Sequence, residues 1–290
     1  MDRLLSGGKH MKLIISLLAV MTVAATAHAL PLPNSHQMVS LPENFTAQYN
    51  FEGIVGLDNC SGSLIRLENS RDTDNALVLT NGHCLETGFP KPGTYVYGKP
   101  SRRTFRLFNA GMEAVGRLNA TTIVYSTMTK TDMTIYKLAE TYAEIKSKYA
   151  VNALLLASQR PVEKTQIEVI SGYWKRGYAC EIEAFIPHLE EAGFTWEDSI
   201  RYSRPGCQVI GGTSGSPIVQ KDTRTVIGVN NTGSDSGDMC TMNNPCEIDK
   251  NGKKTAYRGY TYGEQTYWVY SCLNQYNELD VTVPGCQLLH

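Results

Sequence analysis

The sequence has no excess of either charge. Lys and Arg number 27 against 28 Asp and Glu, so composition gives no global bias toward nucleic acid or acidic lipid. No stretch reaches the roughly 20 consecutive apolar residues of a membrane-spanning helix. No strand–helix–strand repeat appears, which argues against a parallel α/β sheet. Internal repeats and low-complexity tracts are absent too. No Cys-x-x-Cys pair occurs, and that spacing is the usual mark of a zinc site.

What is present fits an all-β protein. The chain has 290 residues, too many for one small core and about right for two compact barrels. Its 25 Gly and 16 Tyr fit many short strands joined by turns. At the N-terminus, Lys9 and Lys12 precede an apolar run from Leu13 to Ala25, followed by Ala27-His28-Ala29. Basic flank, apolar run and small-x-small site read as a secretory signal over residues 1–29, with Met11 as a second candidate start; a buried N-terminal helix is the other reading. Residues 30–48 are Pro-rich and read as a leader or short pro-segment. All eight cysteines follow the expected cut, and an even number in an exported chain implies disulfides. The expected location is therefore secreted or periplasmic.

From residue 51 short apolar runs begin. Phe51 to Leu57 and Gly62 to Leu67 flank Asp58-Asn59 in a hairpin-like arrangement. Residues 76–80 form a strand candidate ended by the turn pair Asn81-Gly82. Thr121 to Ser126 and Thr134 to Leu138 are two more. Leu138, Tyr142, Ile145 and Tyr149 then fall at helical spacing, predicting an amphipathic helix that links two β domains. Strand-like runs resume at Gln166 to Ser171, Ile182 to Ile186, Pro217 to Gln220 and Val226 to Val229. The expected domains are 49–150 and 151–290.

The chemistry centres on Gly211-Gly212-Thr213-Ser214-Gly215-Ser216-Pro217. A serine hydroxyl is a weak nucleophile that needs a neighbouring base, and its product oxyanion needs backbone donors. Glycines let the chain turn tightly and present bare N–H groups. Alone, such a cluster is also what a plain turn looks like. His83 follows a strand in Thr80-Asn81-Gly82-His83-Cys84. Asp132 enters another, in Thr131-Asp132-Met133-Thr134-Ile135. A triad acid must be buried and accept the imidazole N–H, so Asp72 and Asp74, in a polar run, are poorer candidates. Chain order separates the enzyme classes. A Ser–acid–His order fails because only His290 follows Ser214, and position 216 is Ser where the nucleophile-elbow pattern needs Gly. The order His83, Asp132, Ser214 is that of the chymotrypsin group.

Four motifs in this order resemble those of the trypsin-like peptidases: Cys60-Ser-Gly-Ser-Leu-Ile65, Thr80-Asn-Gly-His-Cys84, Thr131-Asp-Met-Thr-Ile135 and Gly212-Thr-Ser-Gly-Ser-Pro217. The resemblance covers roughly residues 50–235. The stretch after 235 is similar to a group of secreted bacterial trypsin-like proteins. The resemblance implies two antiparallel six-stranded β-barrels with the active site between them. It implies His83 as base, Asp132 as its partner, Ser214 as nucleophile, and the amides of Gly212 and Ser214 as oxyanion hole. It also implies a Cys60–Cys84 bridge. Cys180 with Cys207, Cys240 with Cys246 and Cys272 with Cys286 are the further pairs expected.

The chain departs from the family at three places. Thr213 stands where trypsin-type enzymes have the Asp that pairs with a freed N-terminus, so that switch is not expected; here the chain is closer to bacterial glutamyl endopeptidases. Gly53-Ile54-Val55-Gly56 resembles a zymogen cleavage motif but reads as a strand. The substrate-binding residues carried over are Gln208, Asn230, Asn231, Thr232 and Gly233, and the neutral Gln208 and Asn230 support neither basic nor glutamate preference. The usual C-terminal helix is not expected, given Pro284, Gly285 and the Cys272–Cys286 loop.

The reading is a monomeric secreted serine endopeptidase acting on peptide or protein substrates, with no cofactor or metal and no nucleic-acid or membrane partner after signal removal. Asp235 and Asp238 lie in a Gly/Ser loop read as solvated rather than calcium-binding. The alternatives are a non-catalytic binding protein on the same fold and an esterase using the same triad.

Overall fold

A computed structural model describes residues 49–289. The expected signal and nearly all of the leader lie outside the described residues. The first barrel is built from β1 (Ile54–Gly56), β2 (Ser61–Arg66), β3 (Asn75–Thr80), β5 (Thr104–Phe108), β6 (Ala114–Thr127) and β7 (Met133–Thr141), with β4 (Tyr95–Pro100) added along the second half of β6. The antiparallel order β1-β5-β6-β7-β3-β2 closes on itself through the β1–β2 pairing, so this sheet is a closed six-stranded barrel. Its interior is packed by Val55, Leu64, Val78, Phe105, Leu118 and Tyr136.

Helix α1 (Tyr142–Tyr149) follows directly. The helical stripe expected from Leu138 starts later than its spacing implied. Leu138 pairs with Ala120 inside β7, and the helix opens at a capping box, where the Thr141 hydroxyl accepts from the Glu144 amide and the Glu144 side chain accepts from the Thr141 amide. In the chain the helix lies between the strands of the two barrels and leads into β8 (Leu154–Leu156). That strand pairs in parallel with β2 on one side and, through Leu155 and Leu156, with the second barrel on the other.

The second barrel comprises β9 (Gln166–Ser171), β10 (Arg176–Glu191), β11 (Phe194–Tyr202), β12 (Pro217–Gln220), β13 (Thr225–Gly233) and β16 (Thr261–Gln265). The order β13-β12-β9-β10-β11-β16 closes through β13–β16, again entirely antiparallel. Two short strands, β14 (Cys246–Ile248) and β15 (Lys254–Ala256), attach to the far end of β10. Ile167, Val169, Ile182, Ile200, Tyr202 and Ile218 fill the interior. A third core lies between the barrels. Ile65, Leu79 and Ile135 of the first meet Val219, Val226 and Val229 of the second, with Leu154 and Leu156 among them. The fold is thus all-β with two antiparallel six-stranded barrels, as expected.

The C-terminal residues form a 3-10 turn over Tyr267–Cys272 and then run without a helix, held by Cys272–Cys286. Where the zymogen-like motif stood, Gly53 lies in a turn and Ile54–Gly56 form β1.

Candidate active site

His83 sits in a 3-10 turn, Gly82–Cys84, that leaves the end of β3. The turn runs so close to β6 that a Cβ at Gly82 would lie 2.0 Å from the Thr127 carbonyl oxygen, so only glycine fits. The Cys60–Cys84 disulfide ties this turn to the start of β2. Asp132 precedes β7, which pairs with β3, and this register brings it beneath the imidazole. His83 Nδ1 and Asp132 Oδ2 are 2.6 Å apart. The other carboxylate oxygen accepts from the His83 amide at 3.0 Å. Asp132 is fully buried, whereas the His83 side chain keeps 20% of its surface exposed.

Asn81 was not singled out in the sequence beyond its place in a turn. Its side-chain amide donates to the Asp132 carbonyl at 2.7 Å, and its own carbonyl accepts from the Thr134 hydroxyl. It fixes the acid's backbone against the histidine's strand. The rivals Asp72 and Asp74 instead form exposed pairs with Arg66 and Arg71.

Ser214 comes from the loop before β12 and lines the same cleft as His83 and Asp132. Among the described residues its Oγ donates to the Asn231 carbonyl at 3.4 Å and makes no hydrogen bond to His83. The Ser214 loop is clasped from both sides. Its carbonyl accepts from the Ser61 amide of β2 at 2.8 Å, while Gly215 donates to the Asn230 carbonyl of β13 at 3.0 Å. Gly212 has φ +86°, a left-handed conformation that favours glycine. The Gly212 carbonyl is turned to the Ser61 hydroxyl at 3.3 Å, and the Gly211 carbonyl to the Trp174 indole at 2.7 Å. With both carbonyls so engaged, the Gly212 and Ser214 amides donate to no acceptor among the described residues. Thr213 is buried and its hydroxyl accepts from the Ile210 amide within the same loop.

The electrostatics of the pair favour a charged imidazole. Burial pulls the His83 pKa down, but the Asp132 charge and hydrogen bond outweigh it, with a further contribution from Glu191, so it is raised overall. Behind the cleft, Glu264 is fully buried and accepts from the Asn231 side chain and the Ser199 hydroxyl. Burial pushes its carboxyl well above the usual range.

Of the residues carried over for substrate binding, Asn230, Asn231, Thr232 and Gly233 line the cleft. The Asn230 side chain is engaged, its oxygen accepting from the Tyr202 hydroxyl at 3.1 Å. Gln208 is not brought into the cleft wall. It is solvent-exposed, and the wall is made by Val209, Ile210 and Gly211 after it. Counting back from the serine fails because Cys207, bonded to Cys180, turns the loop at a different point. Sequence reasoning also passed over Glu191, at the end of β10, which lies on the cleft wall. Its position in the chain gives no sign of this, because only the barrel brings it to the serine.

All four expected disulfides form: Cys60–Cys84, Cys180–Cys207, Cys240–Cys246 and Cys272–Cys286. Among the described residues, the one group of His, Cys, Asp and Glu atoms close enough together for a cation is Cys60, His83 and Cys84. Its two sulfurs are joined to each other, which removes them as thiolate ligands.

Solved structures similar to this chain include protease domains at low identity. The MamO protease domain from Magnetospirillum magneticum is 13% identical, with 79% of this chain and 99% of that chain covered and a TM-score of 0.47. A chymotrypsin of Cellulomonas bogoriensis is 14% identical, with 75% and 90% covered and a TM-score of 0.41. A thermostable serine protease, AL20, from an extremophilic microorganism is 14% identical, with 76% and 92% covered and a TM-score of 0.44. No curated protein sequence matches. A family model described as the trypsin-like peptidase domain matches residues 60–229, more than half of the chain and a span that holds His83, Asp132 and Ser214. By that match the chain belongs to the trypsin-like peptidase family.

Proposed function

We propose that the protein is an exported serine endopeptidase in which Ser214 attacks the scissile carbonyl, His83 takes and returns the proton, and Asp132 orients the imidazole. The observation that carries this reading is the 2.6 Å contact between His83 Nδ1 and a fully buried Asp132, made within the cleft that Ser214 lines. With Nδ1–H held by the carboxylate, Nε2 is the free, basic nitrogen. Rotation of Ser214 about χ1 moves Oγ from the Asn231 carbonyl toward that nitrogen, since staggered positions lie close in energy. Oγ then adds to the carbonyl carbon as its proton passes to Nε2. The tetrahedral oxyanion is received by the Gly212 and Ser214 amides, which have no other acceptor among the described residues. Collapse expels the amine, protonated by His83, and water repeats the sequence on the acyl-enzyme.

Four disulfides favour an oxidising compartment, which agrees with a signal over residues 1–29 and a leader to residue 48. The catalytic halves are then residues 49–150 and 151–290. Thr213 closes its own loop through Ile210, so the site forms without an inserted N-terminal ammonium. The substrate is a peptide or protein, and a monomer suffices because one chain supplies every group. The test is labelling of mature protein with a fluorophosphonate, read by mass spectrometry. An adduct on Ser214 that is absent after S214A or H83A is expected. A folded protein with no adduct would remove the enzyme reading and leave a non-catalytic binding role. Turnover of esters without peptides would make it an esterase.

A further inference from the structure

Strands β10 and β11 form a long hairpin that extends beyond the second barrel. The hairpin crosses to the loop that carries Asp132. The Lys130 amide donates to the Thr195 carbonyl at 3.1 Å, and the Glu197 amide to the Lys130 carbonyl at 2.8 Å. Trp196 packs there with Met128. The tip of the hairpin therefore forms one wall of the cleft, and Glu191 is the charged residue on it.

Glu191 is 5% exposed. One carboxylate oxygen accepts from the Thr232 hydroxyl at 2.6 Å and the other from the Asn243 amide at 2.8 Å. Both donors are neutral. No Lys or Arg forms an ion pair with it among the described residues. A nearly buried carboxylate with only neutral donors leaves much of its desolvation cost uncompensated. Burial raises its pKa, outweighing its two donors and the His83 charge. The imbalance extends over the whole cleft. Among the described residues its lining carries Asp132, Glu191 and Asp235 but no lysine or arginine, and His83, its one potential cation, is hydrogen-bonded to Asp132. Phe194 and Met242 complete the wall with apolar surface, which suits the methylene stem of a long cationic side chain.

We propose that the hairpin tip is a subsite for a lysine or arginine side chain of the bound peptide, with the Glu191 carboxylate receiving its ammonium or guanidinium. This deepens the endopeptidase reading and rests on it. Basic recognition then comes from a residue on the cleft wall, 23 positions before Ser214 in the chain, and not from the position of Gln208.

The test is a peptide set in which each position in turn carries Lys or its uncharged near-isostere norleucine. Wild type is expected to show a kcat/KM ratio, Lys over norleucine, of at least about tenfold at one position. Glu191→Gln should bring that ratio near one. Equal turnover of the two series by wild type, or a ratio that survives E191Q, would overturn the subsite while leaving the peptidase intact. If nothing is cleaved, binding to S214A decides. Tighter binding of the Lys peptide that E191Q abolishes keeps the subsite and removes the endopeptidase reading, and equal binding removes both. Should E191Q fail to fold, pentylamine is expected to compete with the norleucine peptide for wild type more strongly than pentanol does, and equal competition counts against the subsite.

Discussion

At the residue scale the chemistry depends on how two strands place one carboxylate. In the proposed triad, Asp132 orients the His83 ring from a fully buried position. Asp132→Asn keeps shape but removes the charge, and kcat/KM should fall by about 10⁴-fold with folding retained, checked by steady-state kinetics and circular dichroism. The pH profile carries a sign. His83 works as a base only when neutral, and its pKa is raised above the ordinary value of 6.5. The acid limb of kcat/KM should therefore have its midpoint above pH 6.5, with activity lost as pH falls through it. A midpoint below 6.5, measured on a neutral substrate, would contradict the Asp132 contact. The residues of the proposed triad were legible because each sits in a short motif with its own local signature. Glu191 was not, because nothing around it in the chain marks it. Gln208 misled because a fixed offset from the serine assumes a loop path that Cys207 changes.

At the element scale, the histidine turn is held by a covalent tie and by glycine. The Cys60–Cys84 bridge spans 24 residues of sequence. Loop-closure entropy gives it about 3 kcal/mol of stability. Replacing both cysteines by alanine should lower the denaturant midpoint accordingly and reduce kcat, because the turn bearing His83 is then held only by its hydrogen bonds. Unchanged kcat in the double variant would show that β3 alone positions the imidazole. Periodicity placed most barrel strands, including β9 and β12 at their observed bounds. It missed β5, β11 and β16 of the barrels and β4, β8, β14 and β15 beside them, and it started α1 four residues early. Leu138, Tyr142 and Ile145 do share a helical spacing, but Leu138 belongs to the ladder with β6. Only the capping box at Thr141 marks where strand gives way to helix.

At the scale of the whole molecule, the barrels are joined by more than a connection. Strand β8 pairs with one strand from each, and a shared core lies beneath it. Leu154 is fully buried in that core. Leu154→Ala should cost about 3 kcal/mol. Denaturant unfolding should still show one transition by fluorescence and by circular dichroism, because both barrels lose the same contact. Two separated transitions would mean the barrels fold independently. The same joint carries the site. Ser61 of β2 meets the carbonyls of Ser214 and Gly212, so the Ser214 loop of one barrel is positioned by the other.

The sequence by itself determined the strand-rich class, the cysteine count, and the identity and order of His83, Asp132 and Ser214. These are carried by alternation and by short motifs, which are local in the chain. The tertiary structure decided what depends on distant segments meeting. Barrel closure put His83, Asp132 and Ser214 on one cleft, the β8 ladder made two barrels one unit, and the reach of β10 brought Glu191 to the cleft wall. Contacts between residues far apart in the chain are fixed by packing and register, and a reading along the chain does not contain them.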